Sequence, residues 1–223
     1  MEKNTTIKNY ELQEIAIGLT FVGGFIDAYT FIQRGGVMAA GQTGNVIFIM
    51  SDLVDGRFSS AFIKIMTMVA FMLGIAVTNV MNYKLQPTKF HWRVIPLVLE
   101  IVVCLIVGLI PTVASNLLVT PPLAFVMAMQ ISAFTHIDGH TYNSTFTTGN
   151  IRNMVNGFTR GIIANSVDDM HKGTTYSKVV VSFVVGALVS ALIQKVVTVR
   201  SIWIAAGILT VILAYYWLVV KKR

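Results

Sequence analysis

Six long apolar stretches constrain the fold of this chain more than any other feature of its sequence. They cover residues 15–32, 61–81, 94–113, 123–136, 179–193 and 202–220. A helix that crosses a bilayer needs about 20 mostly apolar residues. The chain is 55% hydrophobic and 12% charged, whereas an average soluble domain carries about 25% charged residues. The sequence therefore predicts an all-α integral membrane protein with about six transmembrane helices, and it excludes a soluble enzyme.

The basic residues predict the orientation. Two further apolar stretches, residues 37–50 and 141–158, are too short or too polar to be predicted as spans. If both dip into the membrane without crossing, one face carries Lys3, Lys8, Lys84, Lys89, Arg93, Arg152, Arg160, Lys172, Lys178, Lys221, Lys222 and Arg223. The other face carries Arg34, Arg57, Lys64, Lys195 and Arg200. Cytoplasmic loops are the ones enriched in Lys and Arg, so we expect both termini in the cytoplasm.

An internal duplication divides the chain into two halves. Gln42-Thr43-Gly44-Asn45-Val46 recurs 105 positions later as Thr147-Thr148-Gly149-Asn150-Ile151. A Phe-x-x-Gly sequence follows each copy, and a basic residue precedes the last span of each half: Phe71–Gly74 and Arg93, then Phe183–Gly186 and Arg200. We therefore predict an N-terminal segment (1–14), two three-helix repeats (15–113 and 114–220) and a basic tail (221–223). Because each repeat has an odd number of spans, the repeats are expected to be inverted, as in many secondary transporters.

The two Thr-Gly-Asn segments predict a polar site at the middle of the membrane. Thr and Asn can cap a helix, and Gly lets the backbone turn sharply. A broken or re-entrant helix starting there would direct free N–H groups into the membrane. Irregular backbone at that depth requires a cavity or a protein interior around it. The alternative is that both segments form tight turns at the membrane surfaces.

A family resemblance rests on residues in both halves. The first set is Gly23-Gly24-Phe25-Ile26-Asp27-Ala28-Tyr29-Thr30, Arg34-Gly35-Gly36 and Gln42-Thr43-Gly44-Asn45. The second set is Met129-Gln130, Phe134, Gly139, Tyr142 and Thr148-Gly149-Asn150-Ile151-Arg152. With these motifs the chain resembles the YoaK-like family of bacterial multi-pass membrane proteins. The resemblance implies a bacterial cytoplasmic membrane protein of about six spans, and it implies no substrate because the family's function is unknown.

Two carboxylates within apolar stretches are the strongest candidates for chemistry. Asp27 lies in the first stretch and Glu100 in the third. A charge near the bilayer centre costs about 2.5–3.5 kcal/mol on insertion scales, so such residues usually face a bundle interior or a cavity. They could couple protons or coordinate a cation, or they could make structural hydrogen bonds. The predicted substrate-binding set is Asp27, Gln42, Thr43, Gly44, Asn45, Glu100, Gln130, Thr148, Gly149 and Asn150.

Enzyme and metal motifs fit poorly. His136-Ile137-Asp138-Gly139-His140 has two His one helical turn apart, but Gly139 interrupts the segment and no further ligand follows at zinc-site spacing. Nucleophile-elbow and phosphate-loop sequences do not occur. We therefore expect no enzyme activity, no catalytic residue, no cofactor, no metal and no nucleic-acid partner.

These patterns favour a small-solute secondary transporter or channel, with proton coupling through Asp27 or Glu100 and a polar site between the repeats. Its expected partners are the lipid bilayer, a small solute or ion, and a second copy of the chain, since so small a bundle needs help to shield a polar path. The alternative is a membrane protein that does not transport: a sensor, an assembly factor or an enzyme acting on lipid.

Overall fold

Helices form nearly all of the structure. A computed structural model describes residues 11–85 and 91–221. Within these residues the helices are α1 (Gln13–Gln33), α2 (Gln42–Val54), α3 (Phe58–Leu85), α4 (Val94–Val107), α5 (Thr120–Ala133), α6 (Thr147–Ile163), α7 (Val167–Val197) and α8 (Ile202–Lys221). Short 3₁₀ turns cover Asn116–Leu118 and Thr198–Ser201. One hairpin pairs β1 (His136–Ile137) antiparallel with β2 (His140–Thr141).

The all-α prediction is confirmed, and several helices are apolar enough for a membrane protein. Four helical segments have the length and composition to cross a bilayer: Gln13–Gln33, Phe58–Leu85, Asn116–Ala133 and Val167–Val219. The last segment contains both α7 and α8, which meet at Thr198, where φ is 49°. Helix α4 is apolar but has only 14 residues. The predicted cations Lys3, Lys8, Lys89, Lys222 and Arg223, and most of segments 1–14 and 221–223, lie outside the described residues.

Both Thr-Gly-Asn segments begin a helix, α2 of 13 residues and α6 of 17, so the helix starts predicted there are confirmed. With these two helices, the described residues hold eight α-helices. Helix α7 begins well before the apolar stretch 179–193, because residues 168–172 form its first turns. Ser166 caps this helix by accepting a hydrogen bond from the Asp169 N–H at 3.2 Å, and acidic residues in a first turn favour the helix dipole.

The closest helix contacts join the two halves of the chain. Helix α1 packs along α7, where Gly24 meets the Phe183 carbonyl and Gly186 meets the Phe21 carbonyl. Helix α3 packs along α5 in the same way, with Gly74 against the Phe125 carbonyl. The Phe-x-x-Gly sequences thus mark close helix crossings, since only a residue without a Cβ lets two backbones approach this far.

Named contacts give the helix directions. The guanidinium of Arg34, after α1, donates to the Ile110 carbonyl at 2.7 Å, so the carboxyl ends of α1 and α4 lie together. Arg93, just before α4, donates to the carbonyl of Ala133, the last residue of α5, at 2.9 Å. Helix α4 therefore runs parallel to α1 and antiparallel to α5.

Large apolar side chains cover the outside of the bundle. Exposed examples lie on the outward faces of several helices: Phe62, Leu73, Val80, Leu105, Val181, Leu188, Val211 and Leu218. Soluble monomers rarely expose a continuous apolar surface of this kind. The surface therefore fits a lipid environment.

The glycine contacts yield a stability prediction. Gly186→Ala places a methyl group against the Phe21 carbonyl oxygen, and overpacking of this kind costs about 1–3 kcal/mol. We expect a lower melting temperature for purified protein in detergent, followed by intrinsic fluorescence. Gly207→Ala in α8 is the matched control, because its added methyl group meets no atom within 4 Å. Equal melting temperatures for the two variants would contradict the proposed close packing.

Candidate functional site

The start of α2 lies inside the bundle and is held by two side chains. Asp27 of α1, only 7% exposed, accepts a hydrogen bond from the Ala40 N–H at 2.7 Å. Fully buried Asn45 accepts from the Met38 N–H at 2.9 Å and donates to the Met38 carbonyl at 2.7 Å. Gln42 closes the turn by accepting from the Asn45 amide at 3.1 Å and donating to the Ala39 carbonyl at 2.9 Å. The buried segment before α2 thus has its polar groups satisfied within the protein.

The start of α6 repeats this arrangement. Asn150, 3% exposed, donates to the Asn143 carbonyl at 2.6 Å and accepts from the Asn143 N–H at 3.5 Å. The partner backbone lies seven residues before the asparagine, as it does for Asn45 and Met38. We call these two bonded pairs the asparagine clamps. The duplicated Thr-Gly-Asn sequence therefore encodes the same local hydrogen bonding twice.

Glu100 forms a second buried polar group with α5. The carboxylate is fully buried on α4. With its amide oriented by the surrounding hydrogen bonds, Gln130 donates to both Glu100 oxygens at 2.9 Å and accepts from Ser144 Oγ at 3.2 Å. Ser144 belongs to the segment that leads into α6. Glu100, Gln130 and Ser144 form what we call the Glu100 cluster.

Helix α1 brings the Glu100 cluster and Asp27 close together. Gly23 faces the Ser144 carbonyl oxygen closely enough that a Cβ there would overlap it. Asp27 follows Gly23 by about one helical turn. The predicted residues Asp27, Glu100 and Gln130 therefore lie in one region of the interior, between the starts of α2 and α6.

The other predicted residues divide between the two clamps. Asn45 and Asn150 each bond within their own half. Thr43, Thr148 and Gly149 are exposed, and Gly44 is half-buried beside Met38. Thr43 and Thr148 thus have exposed side chains, and Gly44 and Gly149 have none. Within the motif, only the clamp asparagines place a side chain in the buried interior.

A buried ion pair between α2 and α3 was missed from sequence. Lys64 Nζ contacts Asp52 Oδ2 at 2.6 Å and Ser60 Oγ at 2.7 Å, and Lys64 is only 3% exposed. Arg57 joins Asp52 at 2.8 Å and Asp55 at 2.6 Å. Lys64 lies in the apolar stretch 61–81, so the reasoning that singled out Asp27 and Glu100 also applies to it. The hydrogen bond from Lys64 lowers the pKa of Asp52 to about 2.

A buried arginine was also missed. Arg34 is fully buried and donates to the Tyr29 hydroxyl at 3.0 Å and to the carbonyls of Ile110 and Pro111. Carbonyls that follow the end of α4 carry the negative end of its dipole, which stabilises a cation there. The sequence gives little indication that Arg34 is buried, because it follows the apolar stretch 15–32 at a position typical of a cation at the membrane surface.

The structure is that of a helical protein whose longest helices are apolar and long enough to cross a membrane, and whose interior contains ionisable side chains. Residues 15–215 match the family described as "Protein of unknown function (DUF1275)". The chain belongs to this family, with which the YoaK-like resemblance is consistent. No curated protein and no solved structure matches the chain.

Asp27 generates a prediction about the start of α2. Asp27→Ala removes the acceptor for the Ala40 N–H and should cost about 1–2 kcal/mol, as loss of a helix N-cap does. Asp27→Asn keeps a side-chain oxygen and should retain most of the stability. The measurement is the thermal midpoint in detergent, with Glu14→Gln, at an exposed position, as the control for loss of one negative charge. Destabilisation by Asn as large as that by Ala would show that the charge, and not the acceptor, holds α2.

The Asp52–Lys64 pair predicts a pH dependence. Because the pKa of Asp52 is lowered from 3.8 to about 2, its contribution to stability is present above pH 4 and is lost as the pH falls towards 2. The melting temperature of the wild type should therefore fall more steeply between pH 4 and pH 2 than that of Asp52→Asn. Parallel curves for the two proteins would contradict the ion pair.

Proposed function

We propose that this protein is a secondary transporter or channel for a small solute in the bacterial cytoplasmic membrane. In this proposal α1, α3, α4, α5, α7 and α8 cross the bilayer, while α2 and α6 enter it from opposite faces. Both termini lie in the cytoplasm, where the more basic loops are expected. The chain acts without enzymatic chemistry or nucleic-acid binding, and it pairs as a homodimer.

The observation that carries the proposal is the pair of asparagine clamps beside buried acidic groups. Each clamp holds the start of a helix that runs from the buried interior to an exposed end, at Val54 for α2 and Ile163 for α6. Half-helices that begin near the midplane are a recurring feature of secondary transporters, where substrate and ion sites form at the helix starts.

Helix order supports an inverted repeat. Taking α1–α4 and α5–α8 as the halves, the α1–α7 and α3–α5 contacts exchange with each other when the halves are exchanged. The α4–α8 contact maps onto itself. Helices α1 and α5 occupy equivalent places, and both are oriented by α4, which is parallel to α1 and antiparallel to α5. These directions support the proposal that equivalent helices run in opposite directions.

The buried carboxylates favour a proton or a cationic solute. A free helix N-terminus would attract an anion, but at the start of α2 the Asp27 carboxylate already occupies that position. Glu100 has neutral hydrogen-bond partners, and among the described residues no cation lies within ion-pair distance of it. An unpaired buried carboxylate is costly, so binding of a proton or cation at Glu100 is favourable. No existing ion pair has to be broken first.

The test is a flux measurement on reconstituted protein. Vesicles of phosphatidylcholine and phosphatidylglycerol with trapped pyranine, polarised by valinomycin and K⁺, would report proton movement on addition of amines, amino acids, organic acids, sugars or alkali cations. We expect a protein-dependent proton flux with at least one of these solutes. Glu100→Gln should reduce the flux at least tenfold, because it removes the titratable group and keeps the hydrogen-bonding shape.

Glu14→Gln is the matched control, since Glu14 is exposed in the first turn of α1. It should leave the flux unchanged. Wild-type vesicles that stay tight to protons and solutes across the whole panel would refute the transport proposal. Full flux from a folded Glu100→Gln variant would instead refute only the role of Glu100.

A further inference from the structure

A polar pocket lies between α6 and α7, apart from the Glu100 cluster and Asp27. It has a volume of about 230 Å³, and its lining includes the polar side chains of His140, Asn153, Asn156, Arg160, Lys172 and Tyr176. The carboxylate of Asp169 and the backbone of Gly157 complete the lining. At Gly157 the backbone of α6 touches the backbone of α7 at Gly173, leaving no room for a side chain. The two helix backbones thus pack closely at the base of the pocket, and polar side chains surround its opening. We call this feature the α6–α7 pocket.

The α6–α7 pocket carries an excess of positive charge. Among the described residues no carboxylate lies within ion-pair distance of Arg160. Lys172 has only Asp169, at 3.5 Å. Burial and the neighbouring Lys172 lower the pKa of His140. The pocket therefore offers two cationic side chains against a single, loosely held carboxylate.

The equivalent cleft in the first half of the chain shows that this excess is particular to the α6–α7 pocket. Residues 105 positions earlier line the cleft between α2 and α3, where Phe48 and Ser51 replace Asn153 and Asn156. At the position equivalent to Arg160 stands Asp55, which pairs with Arg57 at 2.6 Å. Lys64 is likewise paired with Asp52 at 2.6 Å. The α2–α3 cleft thus neutralises its own cations, and the α6–α7 pocket does not.

We propose that the α6–α7 pocket binds a phosphate-bearing anion, held by Arg160 and Lys172 with the amides of Asn153 and Asn156 as further donors. Phosphate oxygens accept several charge-assisted hydrogen bonds at once, and Arg presents paired donors that match them. The lining residues all lie in one connected region, and Tyr176, whose hydroxyl donates to the Thr141 carbonyl, fixes the hairpin that carries His140. This site goes beyond the proposed transport function and does not depend on it.

Two sources supply such a group, an anionic lipid headgroup and a soluble phosphate. The test uses full-length protein in phosphatidylcholine nanodiscs at constant ionic strength, with the thermal midpoint as readout. One arm titrates inorganic phosphate and glycerol 3-phosphate. The other arm replaces 30% of the lipid with phosphatidylglycerol and adds no phosphate. Stabilisation in the first arm identifies a soluble ligand, and stabilisation in the second identifies a lipid headgroup.

Arg160→Gln is the test variant, and Arg152→Gln on the same helix is its matched control, since Arg152 is exposed and does not line the pocket. We expect Arg160→Gln to weaken the apparent affinity about tenfold or more, as loss of a charge-assisted hydrogen bond does. Arg152→Gln should bind like the wild type. Lys172→Gln tests the site independently if the first variant folds poorly. The proposal is overturned if neither arm stabilises the wild type, or if Arg160→Gln, Lys172→Gln and Arg152→Gln all bind alike.

Discussion

Backbone groups that enter an apolar interior outside a helix must find hydrogen-bond partners there. The segments before α2 and α6 meet this requirement through one asparagine each, which pairs with both the N–H and the carbonyl of a residue seven positions earlier. Without these pairs neither helix could begin in the interior. The segments that bring the Ala40 N–H to Asp27 and Ser144 to Gln130 are the ones that these asparagines hold.

The two halves share the same arrangement at the start of α2 and α6, but the polar groups next to it differ. In the first half an acid, Asp27, binds the backbone just before α2. In the second half the corresponding region holds neutral Gln130 and Ser144, and the acid, Glu100, comes from α4. The clefts near the outer ends of α2 and α6 differ as well. One holds the closely bonded Asp52–Lys64 pair, and the other holds Arg160 and Lys172 with only Asp169 near Lys172. The duplicated backbone thus carries a different polar site in each half.

The parts of the fold that the sequence predicts best are those marked by a long apolar stretch or by a repeated motif. Long apolar stretches predicted helices because a bilayer leaves backbone groups few other ways to be satisfied. The repeated Thr-Gly-Asn triplet correctly marked two equivalent helix starts. The early start of α7 was not foreseen, because residues 167–178 are polar and their helix depends on the Ser166 cap and on packing against α6. The partner of Asp27 could not be predicted either, because it is a backbone N–H, which every residue except proline has.

The reciprocal glycine contacts have a consequence for biogenesis. Helices α1 and α3 do not find their closest neighbours within the first half of the chain but on α7 and α5. When only α1–α4 have been synthesised, the helices that pack most closely against α1 and α3 are therefore still missing. The final packing of α1 must await the synthesis of α7, late in the chain.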